Sequence, residues 1–300
     1  MGKAPKEKVW TDRQLKNKIK WIRFFMSVLN AISFKKKRKL AGKERFITTE
    51  EGNVRVLTYN MDNQQRLPLY VNMHGGGFVL GNAEMDDPFM RQIANNANIK
   101  IINIDYSLAP EFPFPKALNE CYAVVKYAKE HADEFGIDPH RIAVGGQSAG
   151  GNLSAGICLM DKDSKALDIK CLILDYPPLD LYTEASLKPL PKGSLPVFLC
   201  RLFDASYLNH KEGRKNPLIS PIYATVDDVR SFPPTLIISA SNDSLCEEDE
   251  KFRDKLLAAG IEVIHKRFED VHGFNLNPGA NSDESWQMII DHLKRYLWQT

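Results

Sequence analysis

Gly146-Gln147-Ser148-Ala149-Gly150 sets a serine between two glycines, each two residues away. The apolar run "RIAVG" precedes it and the small-residue stretch "AGGNLSAGICLM" follows. Ser148 therefore falls at a strand-to-helix turn, where a nucleophile is held in a strained conformation and side chains at the flanking glycines would strike neighbouring backbone. The start of the following helix favours developing negative charge. A serine hydroxyl is too weak an acid to attack unaided, so it needs a base, and the base needs an orienting carboxylate. In a strand–turn–helix setting the chain order is serine, carboxylate, histidine, the last two following later strands. "TLIISASNDSL" puts Asp243 just past one strand, and "EVIHKRFEDVHGF" puts His272 in the loop past the next. His265 lies within that last strand pattern and His292 in the C-terminal helix, while His131, His140 and His210 precede Asp243. Glu247 and Glu248 fall in the next helix. A lone histidine or aspartate is usually just a polar surface or core residue; it is the order and placement together that select these three.

A second stretch, His74-Gly75-Gly76-Gly77-Phe78, closes an apolar run with three glycines. Glycine gives up the most backbone freedom on folding, so the run demands a local reason. His74 precedes Ser148, whereas the chain order places the base last. It reads as an anchor for the glycine loop.

These residues need a scaffold of alternating strands and helices. Strands are expected at Val54–Tyr59, Leu67–Asn72, Lys100–Tyr106, Arg141–Val144, Lys170–Asp175, Thr235–Ser239 and Val263–Phe268. Helices are expected at Ala117–His131, from Ala149, and at Glu247–Ala259 and Glu284–Trp298. That alternation implies a mostly parallel sheet covered on both faces. Residues 178–232, rich in Pro, Lys and Leu, break the rhythm and exceed an ordinary loop. They contain a short apolar segment, Val197–Phe203, and read as an insertion that folds partly as helix over one end of the sheet.

Three hundred residues allow one large domain or two modest ones, with ample apolar content for a core. Five scattered cysteines without C-x-x-C spacing argue against a disulfide framework or a zinc site and suit a reducing compartment. The net charge of +2 is uneven. Residues 1–46 hold fifteen Lys/Arg against three Asp/Glu, a balance of +12 that leaves −10 for the rest. Thr11 to about Phe34 reads as an amphipathic helix opened by a Thr11–Gln14 capping box, with Leu15, Ile19, Ile22, Met26 and Leu29 on one face. Lys35–Lys39 follows, where the helix dipole favours cations. Docking of this helix on the body is the plainer reading, and contact with an anionic membrane surface through the basic N-terminus is the sharper one. The apolar stretch Trp21–Phe34 is interrupted by Arg23 and Asn30, reads neither as a signal peptide nor as a bilayer span, and leaves a cytoplasmic location as the simplest expectation.

With these motifs in place, the chain resembles the hormone-sensitive-lipase-like branch of α/β-hydrolase serine esterases. "HGGGF" and "GQSAGG" carry the likeness, with "DYSLAPEFPFP" (Asp105–Pro115), "NPLISP" (Asn216–Pro221), "FPPTLI" (Phe232–Ile237) and "VHGF" (Val271–Phe274) in the same order. It extends from about residue 45 to the C-terminus. The resemblance implies an α/β-hydrolase fold at 46–300, a mostly parallel central sheet with helices on both faces, and a helical cap from residues 1–45 and the 178–232 insertion. It implies a carboxylesterase acting on short- to medium-chain acyl esters without metal or organic cofactor. Ser148 would be the nucleophile, His272 the base and Asp243 its orienting acid, and the backbone N–H groups of Gly76, Gly77 and Ala149 would hold the oxyanion. Three positions depart from the family pattern: Gln147 stands where Asp is usual, Ser244 follows the acid in place of Pro, and Ser107 replaces an Arg, with loss of an expected ion pair. The partner is a small-molecule ester, not nucleic acid, and oligomeric state is not readable. Deacetylation of a sugar or metabolite uses the same chemistry, and a non-catalytic ligand-binding protein could use the same fold.

Overall fold

The computed structural model describes residues 10–33, 39–208 and 213–298. Eight strands form one sheet: β1 Lys43–Thr49, β2 Gly52–Tyr59, β3 Leu67–Met73, β4 Lys100–Asp105, β5 Ile137–Gln147, β6 Ile169–Asp175, β7 Thr235–Asn242 and β8 Val263–Val271. Their spatial order is β1-β2-β4-β3-β5-β6-β7-β8. The β1–β2 and β2–β4 pairs are antiparallel and the rest parallel. Parallel strands buried on both faces read as unbroken apolar runs, and β3 is buried at all seven positions.

The helices are α1 Asp12–Ser33, α2 Asp87–Ala97, α3 Lys116–Glu130, the single turn α4 Ala132–Phe135, α5 Ala149–Asp161, α6 Val197–Tyr207, α7 Cys246–Ala258 and α8 Ala280–Trp298. Leu118 of α3, Leu153 and Ile157 of α5, and Phe252 and Leu256 of α7 share one buried cluster. Met90 and Ile93 of α2 join Ile289 and Leu293 of α8 in a second cluster. The sheet is thus sandwiched between two helical layers.

Two elements depart from expectation. Strand β1 pairs along its whole length with β2, Lys43 opposite Thr58 and Thr49 opposite Gly52. It is an outer strand with only Ile47 buried, so it lacks a strong apolar signal. Because it opens at Lys43, the expected boundary between residues 45 and 46 falls inside a paired strand. Helix α2 was also not expected. Its polar sequence DPFMRQIANNA hides a stripe of Met90, Ile93, Ala94 and Ala97.

Helix α1 opens as expected. The Thr11 N–H donates to Gln14 Oε1 at 2.9 Å and the Gln14 N–H to Thr11 Oγ1 at 3.3 Å. Leu15 and Ile19 are buried, and the helix docks on α6, with Lys18 Nζ 4.9 Å from the Phe198 ring centre. Arg23 donates to the Ala109 carbonyl at 3.3 Å and pairs with Glu111. The side chains of Met26 and Leu29, the basic residues 35–38, and His210 lie outside the described residues. Among the described residues no helix is long and apolar enough to cross a membrane. All five cysteines are free thiols.

Candidate active site

Parallel strands point their C-terminal ends to one edge of a sheet, where α/β proteins gather ligands. Here five such strands each hand over a residue at the very next position. His74 follows β3, Ser148 follows β5, Tyr176 follows β6, Asp243 follows β7 and His272 follows β8.

Ser148 has φ 50 and ψ −118, a strained conformation for a side-chain-bearing residue. Its N–H is fixed by the Asp175 carbonyl at 2.8 Å. The flanking glycines are required sterically, because a Cβ on either Gly146 or Gly150 would strike the Met73 carbonyl oxygen at the end of β3. One backbone atom therefore sets the residue type at two positions.

The three residues singled out by chain order meet. Ser148 Oγ lies 2.9 Å from His272 Nε2, and His272 Nδ1 lies 2.6 Å from Asp243 Oδ2. The other Asp243 oxygen accepts the Leu245 N–H at 3.2 Å, so both oxygens are partnered. Asp243 is 2 % exposed, which shields its charge from water. This relay holds the imidazole with one nitrogen toward the carboxylate and the other toward the hydroxyl.

Gly76 and Gly77 have φ +124 and +60, which favour glycine. A Cβ on Gly76 would strike the Leu80 carbonyl, and one on Gly77 the Phe203 ring of α6. The N–H groups of Gly76 and Gly77 donate to no backbone carbonyl among the described residues. Ala149 opens α5, so its N–H has no acceptor within the helix. Among the described residues none of these three N–H groups donates to a backbone carbonyl, and Gly76 and Gly77 line the same cavity as Ser148.

His74 sits apart from this relay. It is buried, stacks on Tyr106 at 4.2 Å, and places Nδ1 2.7 Å from the Gly75 carbonyl. Burial lowers its basicity, against the Gly75 carbonyl and the nearby carboxylates of Asp105 and Glu84. His265 is engaged by Ser239 and Arg253. Burial pushes His292 down to about 4, and His131 and His140 lie at other surfaces with Tyr127 and Asp168.

Sequence reasoning did not identify the support around His272. Tyr176 packs its ring edge on the imidazole at 4.9 Å and donates its hydroxyl to Asn275 Oδ1 at 2.5 Å. Asn275 donates to Asp175 Oδ2 at 2.6 Å, tying the histidine loop to the end of β6. Burial pushes the Asp175 carboxyl up to about 8. The only sequence signal is position: Tyr176 directly follows β6, and Asn275 lies in the turn four residues past β8.

The departures at 107, 147 and 244 are accommodated. Ser107 donates both its N–H and its hydroxyl to Glu120 at 2.8 Å, and Lys116 lies 3.3 Å from the same carboxylate. Glu120 is thus partnered without an arginine. Gln147 and Ser244 are buried and line the cavity.

That cavity, of ≈ 240 Å³, opens over Ser148 and His272. Its far walls come from the β6–β7 connection, with Leu181, Leu195, Leu199 and Phe203 supplying apolar surface. Among the described residues, no group of three His, Cys, Asp or Glu side chains is placed to hold a metal ion.

A family model described as alpha/beta hydrolase fold matches residues 70–276. An arylesterase of Saccharolobus solfataricus is 30% identical over 240 residues, covering 77% of this chain and 76% of that protein. The carboxylic ester hydrolase LipN of Mycobacterium tuberculosis is 33% identical over 259 residues, covering 82% of this chain and 68% of that protein. Among solved structures, the thermostable carboxylesterase EstE1 from a metagenomic library superposes with a TM-score of 0.80 at 29% identity, over 96% of this chain and 98% of that one.

Proposed function

The chain belongs to the α/β-hydrolase family, and on that premise we propose that it hydrolyses carboxylic esters through an acyl-enzyme on Ser148. The observation that carries this reading is the unbroken relay from Ser148 Oγ through His272 to Asp243 at the mouth of an apolar cavity.

In the first half-reaction Ser148 Oγ adds to the ester carbonyl while His272 Nε2 takes its proton. Asp243 holds the ring orientation and offsets the imidazolium charge. The N–H groups of Gly76, Gly77 and Ala149 receive the oxyanion, whose charge forms only as the tetrahedral centre does. Collapse of that centre expels the alcohol, which leaves with the proton from His272. Water then adds to the acyl-serine with His272 again as base, and the acid departs. The described part of residues 178–232, with α6 braced by α1, acts as the cap over the cavity. A cavity of ≈ 240 Å³ suits short- to medium-chain acyl groups on a small-molecule ester.

Ser148→Ala should lower hydrolysis of a short p-nitrophenyl ester on the order of 10⁵–10⁶-fold while leaving the melting temperature near that of the wild type. The wild type, and not the variant, should be labelled by a fluorophosphonate. Undiminished hydrolysis in the variant would refute the assignment. A series of p-nitrophenyl esters of increasing acyl length tests the substrate class, and an optimum at long chains would overturn it.

A further inference from the structure

We propose that Asp204, on helix α6, is a specificity-determining residue that binds a hydroxyl group carried by the substrate ester away from the scissile carbonyl. The inference rests on the esterase reading and deepens it.

The cavity is walled mainly by apolar side chains, yet four charged ones reach it: Asp86, Asp180, Lys188 and Asp204. Three are committed to the protein. Asp86 accepts from Asn72 at 2.8 Å. Asp180 accepts from the Thr183 hydroxyl at 2.6 Å and from the backbone N–H groups of Tyr182 and Thr183. Lys188 donates to the Asp180 carbonyl at 2.7 Å and to Glu248 Oε2 at 2.6 Å. Asp204 differs. Among the described residues its carboxyl accepts no hydrogen bond, and the Arg214 guanidinium lies 3.9 Å away, beyond hydrogen-bond reach.

A carboxyl group on an apolar wall is costly unless it is hydrogen-bonded. The Asp204 side chain is 22 % exposed and lines the cavity, so a ligand there can reach it. Burial pushes this carboxyl up to about 7, against the pull of Arg214 and Lys188. The group therefore lacks the solvation of a surface carboxylate. Lys188 narrows the choice of ligand. An ammonium has three donors, and two are spent on Asp180 and Glu248. A hydroxyl is donor and acceptor at once, so it can give its proton to Asp204 and receive the remaining Lys188 N–H. An alkyl group would satisfy neither. An anionic group would meet Asp204 and Asp180 as like charges.

The test is selectivity between matched esters. On the acyl side the pair is p-nitrophenyl butyrate and p-nitrophenyl 3-hydroxybutyrate. On the alcohol side it is butyl acetate and 4-hydroxybutyl acetate. In one pair, wild-type kcat/KM should favour the hydroxylated member by about tenfold or more, the scale of one hydrogen bond to a charged group. The responding pair identifies which half of the ester reaches Asp204. Asp204→Leu should abolish or invert that ratio, and Asp204→Asn should reduce it while retaining fluorophosphonate labelling. A wild type indifferent to hydroxylation in both pairs overturns the proposal without recourse to a variant. A ratio unchanged in a labelled Asp204→Leu protein also overturns it. Failure of the wild type to label or to cleave p-nitrophenyl acetate would instead strike the esterase reading.

Discussion

The floor and the roof of the cavity are built by different means. On the floor, position is set by backbone. The Met73 carbonyl dictates glycine at 146 and 150, and positive φ at 76 and 77 shapes the loop that carries two of the proposed oxyanion donors. Ser148 sits in a strained turn, and both Asp243 oxygens are spoken for. On the roof, position is set by side chains. Leu195, Leu199 and Phe203 fill space, and the charges of Lys188, Glu248, Asp204 and Arg214 balance one another, with Asp204 held least. The difference teaches where each kind of change is tolerated. A floor defined by backbone atoms admits almost no substitution, whereas a roof defined by side chains can be re-cut for another ester.

The sharpest way to break this comparison is at the point where floor and roof touch. Gly77→Ala drives a methyl into the Phe203 ring and disturbs a proposed oxyanion donor. We expect kcat/KM on a short p-nitrophenyl ester to fall roughly 10²–10³-fold, the cost of losing one such donor. Adding Phe203→Ala should recover part of the loss, because the residues are in contact and their effects couple. A fall of less than about threefold would show that the floor is not the rigid partner.

On the roof, the largest effect should be on stability. Lys188 and Glu248 pair at 2.6 Å with side chains 12% and 6% exposed. Lys188→Met strands a buried carboxylate, at a cost of about 3–5 kcal/mol in denaturant unfolding. Glu248 also accepts the N–H groups of Leu179 and Asp180. Glu248→Gln keeps that acceptor without the charge, so the double variant should regain most of the loss. A double variant no better than Lys188→Met would remove the ion pair as the cause.

The smallest effect is a pH dependence on the floor. Folding raises the Asp175 carboxyl to about 8, so the folded chain holds this proton where the unfolded chain releases it. The associated stability is present below the ordinary carboxylate range, near pH 4, and is lost as pH rises toward 8. Asp175→Asn keeps an oxygen for Asn275 and cannot ionise. Its melting temperature should therefore gain on the wild type by a few degrees between pH 4 and pH 8. A constant difference across that range would show that Asp175 does not titrate in folding.

The floor was far more legible in the sequence than the roof, for the same reason. Where backbone sets the geometry, residue type leaves a trace. Glycines at 146, 150, 76 and 77 are visible as letters, and strand ends locate Ser148, Asp243 and His272. Tyr176 and Asn275 left no such trace, because an aromatic edge and an amide bridge are ordinary residues until folding sets Asp175 beside Asn275, a hundred positions along the chain. Strand β1 escaped because an outer strand needs little burial, and α2 because its apolar stripe is spread among polar residues. On the roof, nothing in "RLFDASY" separates Asp204 from a solvated helix residue. Only the packing of α6 over the cavity does so.

The contact between Phe203 and Gly77 bears on how such enzymes can be recombined. A ring seated where a side chain is missing works as a lock and key within one chain. Transplanting residues 178–232 from a relative would carry the substrate preference of the donor only if an aromatic group of matching reach came with it. A shorter residue at 203 would leave a gap against the glycine loop, and a displaced ring would press on it. Modular exchange of roofs is thus open to this scaffold, with a single ring as the keying element.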